Sequence, residues 1–199
     1  GHHADDVLEN FFIRLLRGSG LNGMVSFDEK SFMHNINILR PMINFEKEDL
    51  KYVAKKVFST YFNDPSNDDT NFTRVRIRNL ISKLNKEGLN KKKFKLTIKN
   101  LKHANNAIKF FYEKNLEENS IILKNKAILN KEFFSYPDEV LFRSFSEIIK
   151  KIGNKHFFAR GKKIKIVLEA LSNKADIKCT LGNCIIEKIN NTVIVLKEH

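Results

Sequence analysis

Apolar residues recur at helical spacing near the beginning of the chain: Leu8, Phe11, Phe12, Leu15 and Leu16. The polar residues of the same stretch fall on the other side of a helix: Asp5, Asp6, Glu9, Asn10, Arg14 and Arg17. A glycine-rich turn follows at residues 18–20. The pattern therefore predicts an amphipathic helix that carries carboxylates in its first turns.

Short elements are predicted for the rest of the first 88 residues. Residues 21–35 are mostly polar and predict a loop, whereas residues 36–39 alternate before Arg40-Pro41 and predict a strand. A helix with Asn44 as its N-cap should follow, and turn-forming residues dominate positions 63–71. The spacing after Thr73 predicts another helix.

The second part of the chain begins with a basic segment. Lys91-Lys92-Lys93 are typical of a solvated connection, so we place a domain boundary at residue 88. Helices are predicted over residues 96–117, 138–152 and 162–171, and strands over 121–123 and 127–129. Residues 178–196 predict a hairpin that turns at Gly182-Asn183. We therefore predict an α/β chain with domains 1–88 and 89–199, the second a mainly helical α+β domain ending in a β-hairpin.

Composition narrows the class of protein. A chain of 199 residues, 42% hydrophobic and 30% charged, is typical of one or two globular domains. No run approaches the roughly 18 apolar residues of a membrane helix and no signal peptide is evident, so we expect a cytoplasmic location and no membrane partner. Two cysteines without a CxxC pair argue against a disulfide framework and a structural zinc site.

The net charge of +13 is unevenly distributed along the chain. Residues 1–50 carry five Lys/Arg and eight Asp/Glu, a net charge of −3, so the remaining residues carry +16. A basic body predicts a polyanionic partner, with nucleic acid ahead of a membrane surface. An adenine- and thymine-rich genome also enriches lysine and asparagine, so charge alone leaves the partner open.

The first helix contains a candidate binding site. Asp5 and Asp6 lie one turn before Glu9, and such a carboxylate cluster can hold Mg²⁺ or a primary amine. The structural alternative is that acidic residues in a first turn complement the helix dipole.

Three spaced arginines, Arg74, Arg76 and Arg78, follow an acidic turn and form a second candidate site. Arginine binds phosphate through two parallel hydrogen bonds, so the segment predicts a phosphate or RNA clamp. A salt-bridged surface loop is the alternative.

Three motifs occur in a fixed order over about the first 85 residues. The first comprises His2-His3-Ala4-Asp5-Asp6 with Glu9, continued by Arg17-Gly18-Ser19-Gly20. The second is Leu39-Arg40-Pro41, and the third is Asp64-Pro65-Ser66-Asn67 followed by the segment 72–78. Together they resemble the HHxDDQxET, LLRGSG, RPLL and DPSN…FxRNxIR segments of the tRNA(Ile)-lysidine synthase family, a branch of the N-type ATP pyrophosphatases.

The resemblance implies a fold and an activity. Residues 1–88 would be the C-terminal part of a Rossmann-like ATP-pyrophosphatase (PP-loop) domain, and residues 89–199 a tRNA-binding domain. The reaction would be ATP-dependent ligation of lysine to C2 of the wobble cytidine of tRNA(Ile) with a CAU anticodon, through an adenylated tRNA. ATP, L-lysine and tRNA(Ile) are then the substrates, Mg²⁺ is expected with ATP, and a homodimer is a candidate assembly.

The family's SGGxDS phosphate loop does not occur in this chain. We expect it upstream of Gly1, and we expect the 199 residues alone to be inactive. A coding sequence without that motif upstream would contradict the ligase hypothesis.

The resemblance also implies roles for individual residues. Asp6 and Glu9, with Asp5 second, would bind the lysine ammonium and take its proton. His3, with His2 nearby, would stabilise charge on the α-phosphate. Asp5 and Asp6 are also candidate Mg²⁺ ligands.

Binding roles are implied for two further groups of residues. Substrate or phosphate contacts are expected of Arg14, Arg17, Gly18, Ser19, Gly20, Arg40, Asp64, Ser66, Asn67, Arg74, Arg76 and Arg78. Contacts with the tRNA backbone are expected of Lys91, Lys92 and Lys93.

Two other functions stay open. One is another tRNA-modifying ATP pyrophosphatase, such as a thiolation enzyme, which the presence of only two late cysteines, Cys179 and Cys184, disfavours. The other is a basic RNA-binding module without chemistry of its own.

Overall fold

The computed structural model describes residues 2–33, 36–60, 62, 64, 69–173 and 176–198. The chain divides into two compact units, Gly1–Asn105 and Asn106–His199. The predicted boundary lies at residue 88, so residues 89–105 pack with the first unit although the prediction assigns them to the second domain.

The first unit is mainly helical. Its elements are α1 (Ala4–Leu16), α2 (Leu21–Val25), β1 (Lys30–Met33), β2 (Ile36–Leu39), α3 (Lys47–Phe58), α4 (Thr73–Lys86) and the first part of α5 (Lys91–Asn119). The loop prediction for residues 21–35 is wrong in two places. Leu21 begins a short helix, and β1 pairs antiparallel with β2, which supplies the backbone hydrogen bonds that the polar pattern alone did not reveal.

Helix α1 packs its apolar face against the first turns of α5. Leu8, Phe94 and Ile98 are buried together, and the rings of Phe11 and Phe94 meet edge to face with centroids 5.3 Å apart. The opposite side of α1 faces α4, where Asp6 and Glu9 meet arginine side chains. Packing of the apolar stripe thus fixes the direction in which these carboxylates point.

Two helices begin elsewhere than the sequence predicts. Helix α5 starts at Lys91 because the Asn90 side chain accepts a hydrogen bond from the Lys93 amide at 2.9 Å. The three lysines are therefore a first helical turn and not a connection. Helix α3 starts after Glu46, whose amide donates to Asp49 at 3.2 Å in a capping box, and not after Asn44.

The second unit packs helices on a five-stranded antiparallel sheet of order β3-β4-β7-β6-β5. Beyond the end of α5, its elements are β3 (Ser120–Ile122), β4 (Lys126–Leu129), a 3₁₀ helix (Lys131–Ser135), α6 (Asp138–Ile152), α7 (Gly161–Asn173), β5 (Ile177–Leu181), β6 (Cys184–Ile189) and β7 (Thr192–Lys197). Phe133, Phe145 and Ile148 are fully buried in its core.

The predicted C-terminal hairpin is present but belongs to a wider sheet. Gly182 and Asn183 both have positive φ, as a two-residue hairpin turn requires. Strand β7 then pairs with β4, so the hairpin and the earlier strand pair form one sheet. A mixed α/β chain is thus confirmed, with both described sheets antiparallel, and the Rossmann-like arrangement stays a prediction. None of the described helices combines the length and apolarity needed to cross a membrane.

Candidate active site

The N-terminal turn of α1 organises the acidic cluster. His3 is the N-cap residue, and its amide donates to Asp6 Oδ2 at 2.9 Å. The Ala4 amide donates to the Phe45 carbonyl at 2.9 Å, which ties the turn to the segment before α3. These two hydrogen bonds fix the start of the helix whose first two turns carry the acidic cluster, Asp5, Asp6 and Glu9.

Asp6 is only 7% exposed. Its Oδ1 lies 3.9 Å from Arg74 Nη1, and its Oδ2 lies 3.8 Å from His3 Nε2. Burying a carboxylate is costly unless it is hydrogen-bonded or paired. Here the His3 amide and the Arg74 guanidinium offset that cost.

Glu9 is the most buried carboxylate of the cluster, at 4% exposed. Its Oε1 accepts a hydrogen bond from Arg78 Nε at 2.6 Å. That hydrogen bond raises the pKa of the Arg78 guanidinium above its usual range, against the opposing effect of burial. The other oxygen, Oε2, is buried and has no hydrogen-bond partner in the part of the chain that is described.

Asp5 points to a different set of partners. Its Oδ1 lies 3.0 Å from Lys91 Nζ, and its Oδ2 accepts from the Lys47 amide at 3.3 Å. Lys91 also contacts Glu46 at 3.1 Å. Burial alone would raise the pKa of Asp5, but the hydrogen bond and charge of Lys91 outweigh it, and the pKa lies below its usual value. Asp5 is therefore an ion-pair anchor between α1 and α5.

The spacing of the arginines on α4 decides which of them reach the carboxylates. Arg74 and Arg78 are one helical turn apart and lie on the same side of α4, facing α1. Arg76 lies on another side, where its Nη1 donates to the carbonyls of Thr70 and Asn71 at 2.9 and 2.7 Å. Arg76 thus stabilises the turn before its own helix and does not join the acidic cluster.

Part of the glycine-rich turn serves to end helix α1. Gly18 has a φ of +66°, in the left-handed region, and the Ser19 amide donates to the Arg14 carbonyl at 3.0 Å. Arg17, Gly18 and Gly20 are exposed. Arg14 Nε is buried and finds no hydrogen-bond partner among the described residues.

Arg40 contacts the loop before β1 and not the acidic cluster. Its Nη1 donates to the Asp28 carbonyl at 3.0 Å and to Ser31 Oγ at 2.8 Å, and its guanidinium stacks 4.5 Å from the centre of the Phe27 ring. The His2 ring meets the same ring edge to face, with centroids 5.1 Å apart. His2 and Arg40 thus both contact the Phe27 ring.

The remaining predicted site residues lie in three places. Asp64 is exposed, whereas Ser66 and Asn67 lie outside the described residues. Lys93 Nζ donates to the Gly88 carbonyl at 3.0 Å, and Lys92 is exposed. Lys91 is engaged by Asp5 and Glu46, so the predicted lysine group does not present three equivalent cations.

The acidic cluster does not provide an obvious magnesium site. Both oxygens of Asp5 already accept from nitrogen donors, and Asp6 faces His3 and Arg74. Across the described residues, no three His, Cys, Asp or Glu side chains are grouped as ligands for a metal ion. The donor set fits a cationic nitrogen better than a divalent ion.

Sequence reasoning missed two residues that shape the site. Glu46 completes the Asp5–Lys91 ion pair, and its place at the start of an acidic helical turn was a usable signal. Phe27 lies in a segment that predicts a loop, and no local pattern indicates its contacts with His2 and Arg40.

The first part of the chain is similar to a known protein family. Residues 1–85 match the PP-loop domain family. The segment that matches contains α1, α4 and therefore every arginine and carboxylate of the acidic cluster.

Curated relatives extend the similarity over nearly the whole chain. The chain is 31% identical over 200 residues to the tRNA(Ile)-lysidine synthase of Wolbachia pipientis wMel and 32% identical over 208 residues to that of Rickettsia typhi. In both comparisons 99% of this chain is covered and 46% of the relative. A third relative of the same name, from Orientia tsutsugamushi, is 45% identical over 84 residues, which are 42% of this chain and 19% of that protein.

The chain thus spans about half the length of the curated relatives that it matches. The identity to the relative from Orientia tsutsugamushi is higher than that to the other two, over a shorter match of 84 residues. The predicted resemblance to the tRNA(Ile)-lysidine synthases is confirmed by these relatives and by the match of residues 1–85 to the PP-loop domain family.

Proposed function

We propose that this chain is part of an enzyme that ligates lysine to C2 of the wobble cytidine of tRNA(Ile) with a CAU anticodon. The names of the relatives and the PP-loop match support a tRNA-modifying ligase that uses ATP. We further propose a cytoplasmic location, an ATP-pyrophosphatase domain of Rossmann-like arrangement that includes residues 1–88, and a tRNA-binding domain over residues 89–199.

The buried carboxylate of Glu9 is the observation that supports a lysine-binding role for particular residues. Glu9 is buried, one of its oxygens is held by Arg78, and the other has no partner within the described structure. A buried acceptor without a donor is costly, and a primary ammonium provides three N–H donors. The ε-ammonium of the substrate lysine therefore suits the free side of Glu9, with Asp6 next to it on α1.

The proposed reaction has two steps. In the first, the C2 oxygen of cytidine attacks the α-phosphorus of ATP, and the bond to pyrophosphate breaks. In the second, the lysine ε-nitrogen attacks C2, the bond from C2 to the adenylated oxygen breaks, and AMP leaves. The ε-nitrogen must lose protons to attack and to form the final bond, and we propose Glu9 or Asp6 as the acceptor of one of them.

The basic residues around the carboxylates would serve the phosphate groups. Arg74 is 54% exposed in its side chain and can turn toward an anion while it remains near Asp6. His3, with His2 beside it, would stabilise charge on the α-phosphate. Arg40 and Arg76 are engaged with backbone carbonyls, so we propose that they position loops for substrate and do not touch phosphate.

Single neutralising substitutions test the proposal. In the polypeptide as its gene encodes it, Glu9→Gln and Asp6→Asn should each lower transfer of labelled lysine to a CAU-anticodon isoleucine tRNA by at least about 100-fold. The affinity for that tRNA should stay within about twofold of wild type. Glu48→Gln is the matched control, because Glu48 is a surface residue in the first turn of α3. Equal loss of tRNA affinity would mean that the carboxylates are structural.

A further inference from the structure

A cavity of about 350 Å³ lies beside α1 within the first unit. At 100° per residue, Ala4 and Leu8, which line it, lie nearly opposite Asp6 and Glu9 on the helix, with Asp5 between the two sides. The cavity is therefore separate from the free oxygen of Glu9. Its volume is in the range of about 300–1,000 Å³ that small-molecule sites occupy.

One wall of the cavity is apolar and partly aromatic. Leu8, Ile43, Phe94 and Ile98 are buried side chains that line it, and Phe27 completes the wall. The Phe27 ring makes an edge-to-face contact with the His2 ring, and the guanidinium of Arg40 lies over one of its faces. An aromatic ring in an apolar wall suits a flat aromatic group.

Four lysines of α5, the helix that also carries Phe94 and Ile98, line the same cavity: Lys91, Lys95, Lys99 and Lys102. Two of them are neutralised, since Lys91 pairs with Asp5 and Lys102 lies 2.8 Å from Asp28. Lys95 and Lys99, between them, have no carboxylate partner in the described parts of the chain. The cavity thus keeps two uncompensated cations at its edge.

From the apolar lining and the two unpaired lysines we infer that the cavity binds a nucleotide, with the base against Phe27 and the phosphate on Lys95 and Lys99. An inorganic anion would make no use of the apolar wall, and a neutral apolar ligand would leave two ammonium groups uncompensated. Free L-lysine does not fit, because its own ammonium group would meet the same lysines. The exposed amide of Asn44 at the edge of the cavity provides a hydrogen-bonding group for the base.

A base with an attached phosphate has two sources, a strand of RNA and a free nucleotide. An RNA nucleotide would stack on Phe27 as bases do on single-strand-binding proteins. A free nucleotide would make the same two contacts alone. The inference does not require the proposed ligase reaction, because it concerns binding at a different side of α1.

Equilibrium binding to the 199-residue chain tests the inference with four probes: hexacytidylate RNA, cytidine 5′-monophosphate, ATP and inorganic pyrophosphate. Lys95→Gln/Lys99→Gln should raise the Kd of the nucleotide probe that binds by about tenfold. Phe27→Leu should raise it by about tenfold as well, through lost stacking, and leave pyrophosphate binding unchanged. The matched control is Lys83→Gln/Lys86→Gln, which removes two exposed charges from α4 outside the cavity.

The pattern of results decides both the site and its ligand. Tighter binding of hexacytidylate than of either mononucleotide identifies an RNA site, and the reverse order identifies a free-nucleotide site. Thermal unfolding of each variant near the wild-type midpoint shows that the fold is retained. Absence of nucleotide binding, equal weakening by the control variant, or pyrophosphate binding that matches the nucleotides with no effect of Phe27→Leu would overturn the inference.

Discussion

Two carboxylates of α1 are buried because arginines one turn apart on α4 meet them. Glu9 and Arg78 make the shortest charged contact of the cluster, at 2.6 Å, and Arg74 stands 3.9 Å from Asp6. Removing one partner of a buried ion pair costs more than the pair itself contributes, because a charge is left without compensation. The pairs therefore couple the stability of the first unit to the residues that we propose for catalysis.

The Glu9–Arg78 pair gives a stability prediction. Arg78→Met leaves the Glu9 carboxylate buried without its guanidinium and should lower the free energy of unfolding by about 3 kcal/mol. Arg76→Met, on the same helix, removes exposed hydrogen bonds and should cost about 1 kcal/mol or less. Urea denaturation of both variants measures the difference. Equal losses would show that Glu9 does not depend on Arg78.

Asp5 gives a prediction about pH. Its pKa in the folded protein lies below the ordinary value of 3.8, because Lys91 outweighs the effect of burial. The stabilisation from this ion pair is therefore present at neutral pH and is lost as the pH falls below about 3.8 through the folded pKa. The difference in unfolding free energy between wild type and Asp5→Asn should be constant above about pH 5 and shrink below pH 3.8. A difference that does not change with pH would contradict the ion pair.

At the level of residues, motif order indicated more than local pattern did. The HHxDD and arginine segments are about 70 residues apart in sequence, and the structure brings Asp6, Glu9, Arg74 and Arg78 together. Arg76 belongs to the arginine segment but binds backbone carbonyls, because helix geometry turns it away from α1. Arg40, from the Leu39-Arg40-Pro41 motif, binds the Asp28 carbonyl of a loop and the Ser31 hydroxyl of β1. Sequence spacing alone does not distinguish these cases.

At the level of elements, the apolar periodicity together with residues that begin or end helices predicted the secondary structure best. Helix α6 begins after Pro137 and ends at Gly153, as its stripe and the C-terminal glycine predict. The pattern failed where tertiary contacts decide the outcome, as in β1, which needs β2, and in α5, whose first turn depends on the Asn90 cap. Lysine-rich segments are compatible with both a helix and a loop, so the local sequence does not predict their secondary structure.

Gly153 gives a prediction at this scale. A Cβ at this position would lie 2.0 Å from the Gly182 carbonyl and 2.8 Å from the Ile149 carbonyl. Neither backbone group can move easily, so Gly153→Ala should destabilise the protein by about 3 kcal/mol. Gly161→Ala, at the start of α7, is the matched control. A Cβ at Gly161 would make an ordinary 3.4 Å contact with the Phe142 side chain. A thermal midpoint that is equal in the two variants would contradict the close approach of the β5–β6 turn to α6.

At the scale of the whole molecule, the net charge of +13 predicts binding to a polyanion that weakens with salt. The sequence predicts Lys91, Lys92 and Lys93 as one contact, but the structure separates them, because Lys91 is neutralised by Asp5 and Glu46. Charge counts along a sequence do not show which lysines are already paired. The three-dimensional structure was therefore needed to show which lysines remain available to a polyanion.

The two lysines beside Lys91 give a prediction for RNA binding. Lys92→Gln/Lys93→Gln should reduce the slope of log K against log salt for tRNA by about 1.5, in proportion to two lost phosphate contacts. Lys109→Gln/Lys114→Gln removes two charges from the same helix that are already paired with Glu113 and Glu118, and should change the slope less. An unchanged slope in the first variant would place the contact elsewhere.

We propose that this chain belongs to an enzyme that joins lysine to a tRNA base. The most direct measurement incubates the polypeptide, as its gene encodes it, with ATP, labelled L-lysine and isoleucine tRNA transcripts that differ only in a CAU or GAU anticodon. The account predicts ATP-dependent label on the CAU transcript, none on the GAU transcript, and release of AMP and pyrophosphate in equal amounts. Label on both transcripts, or on neither while ATP is bound, would contradict it.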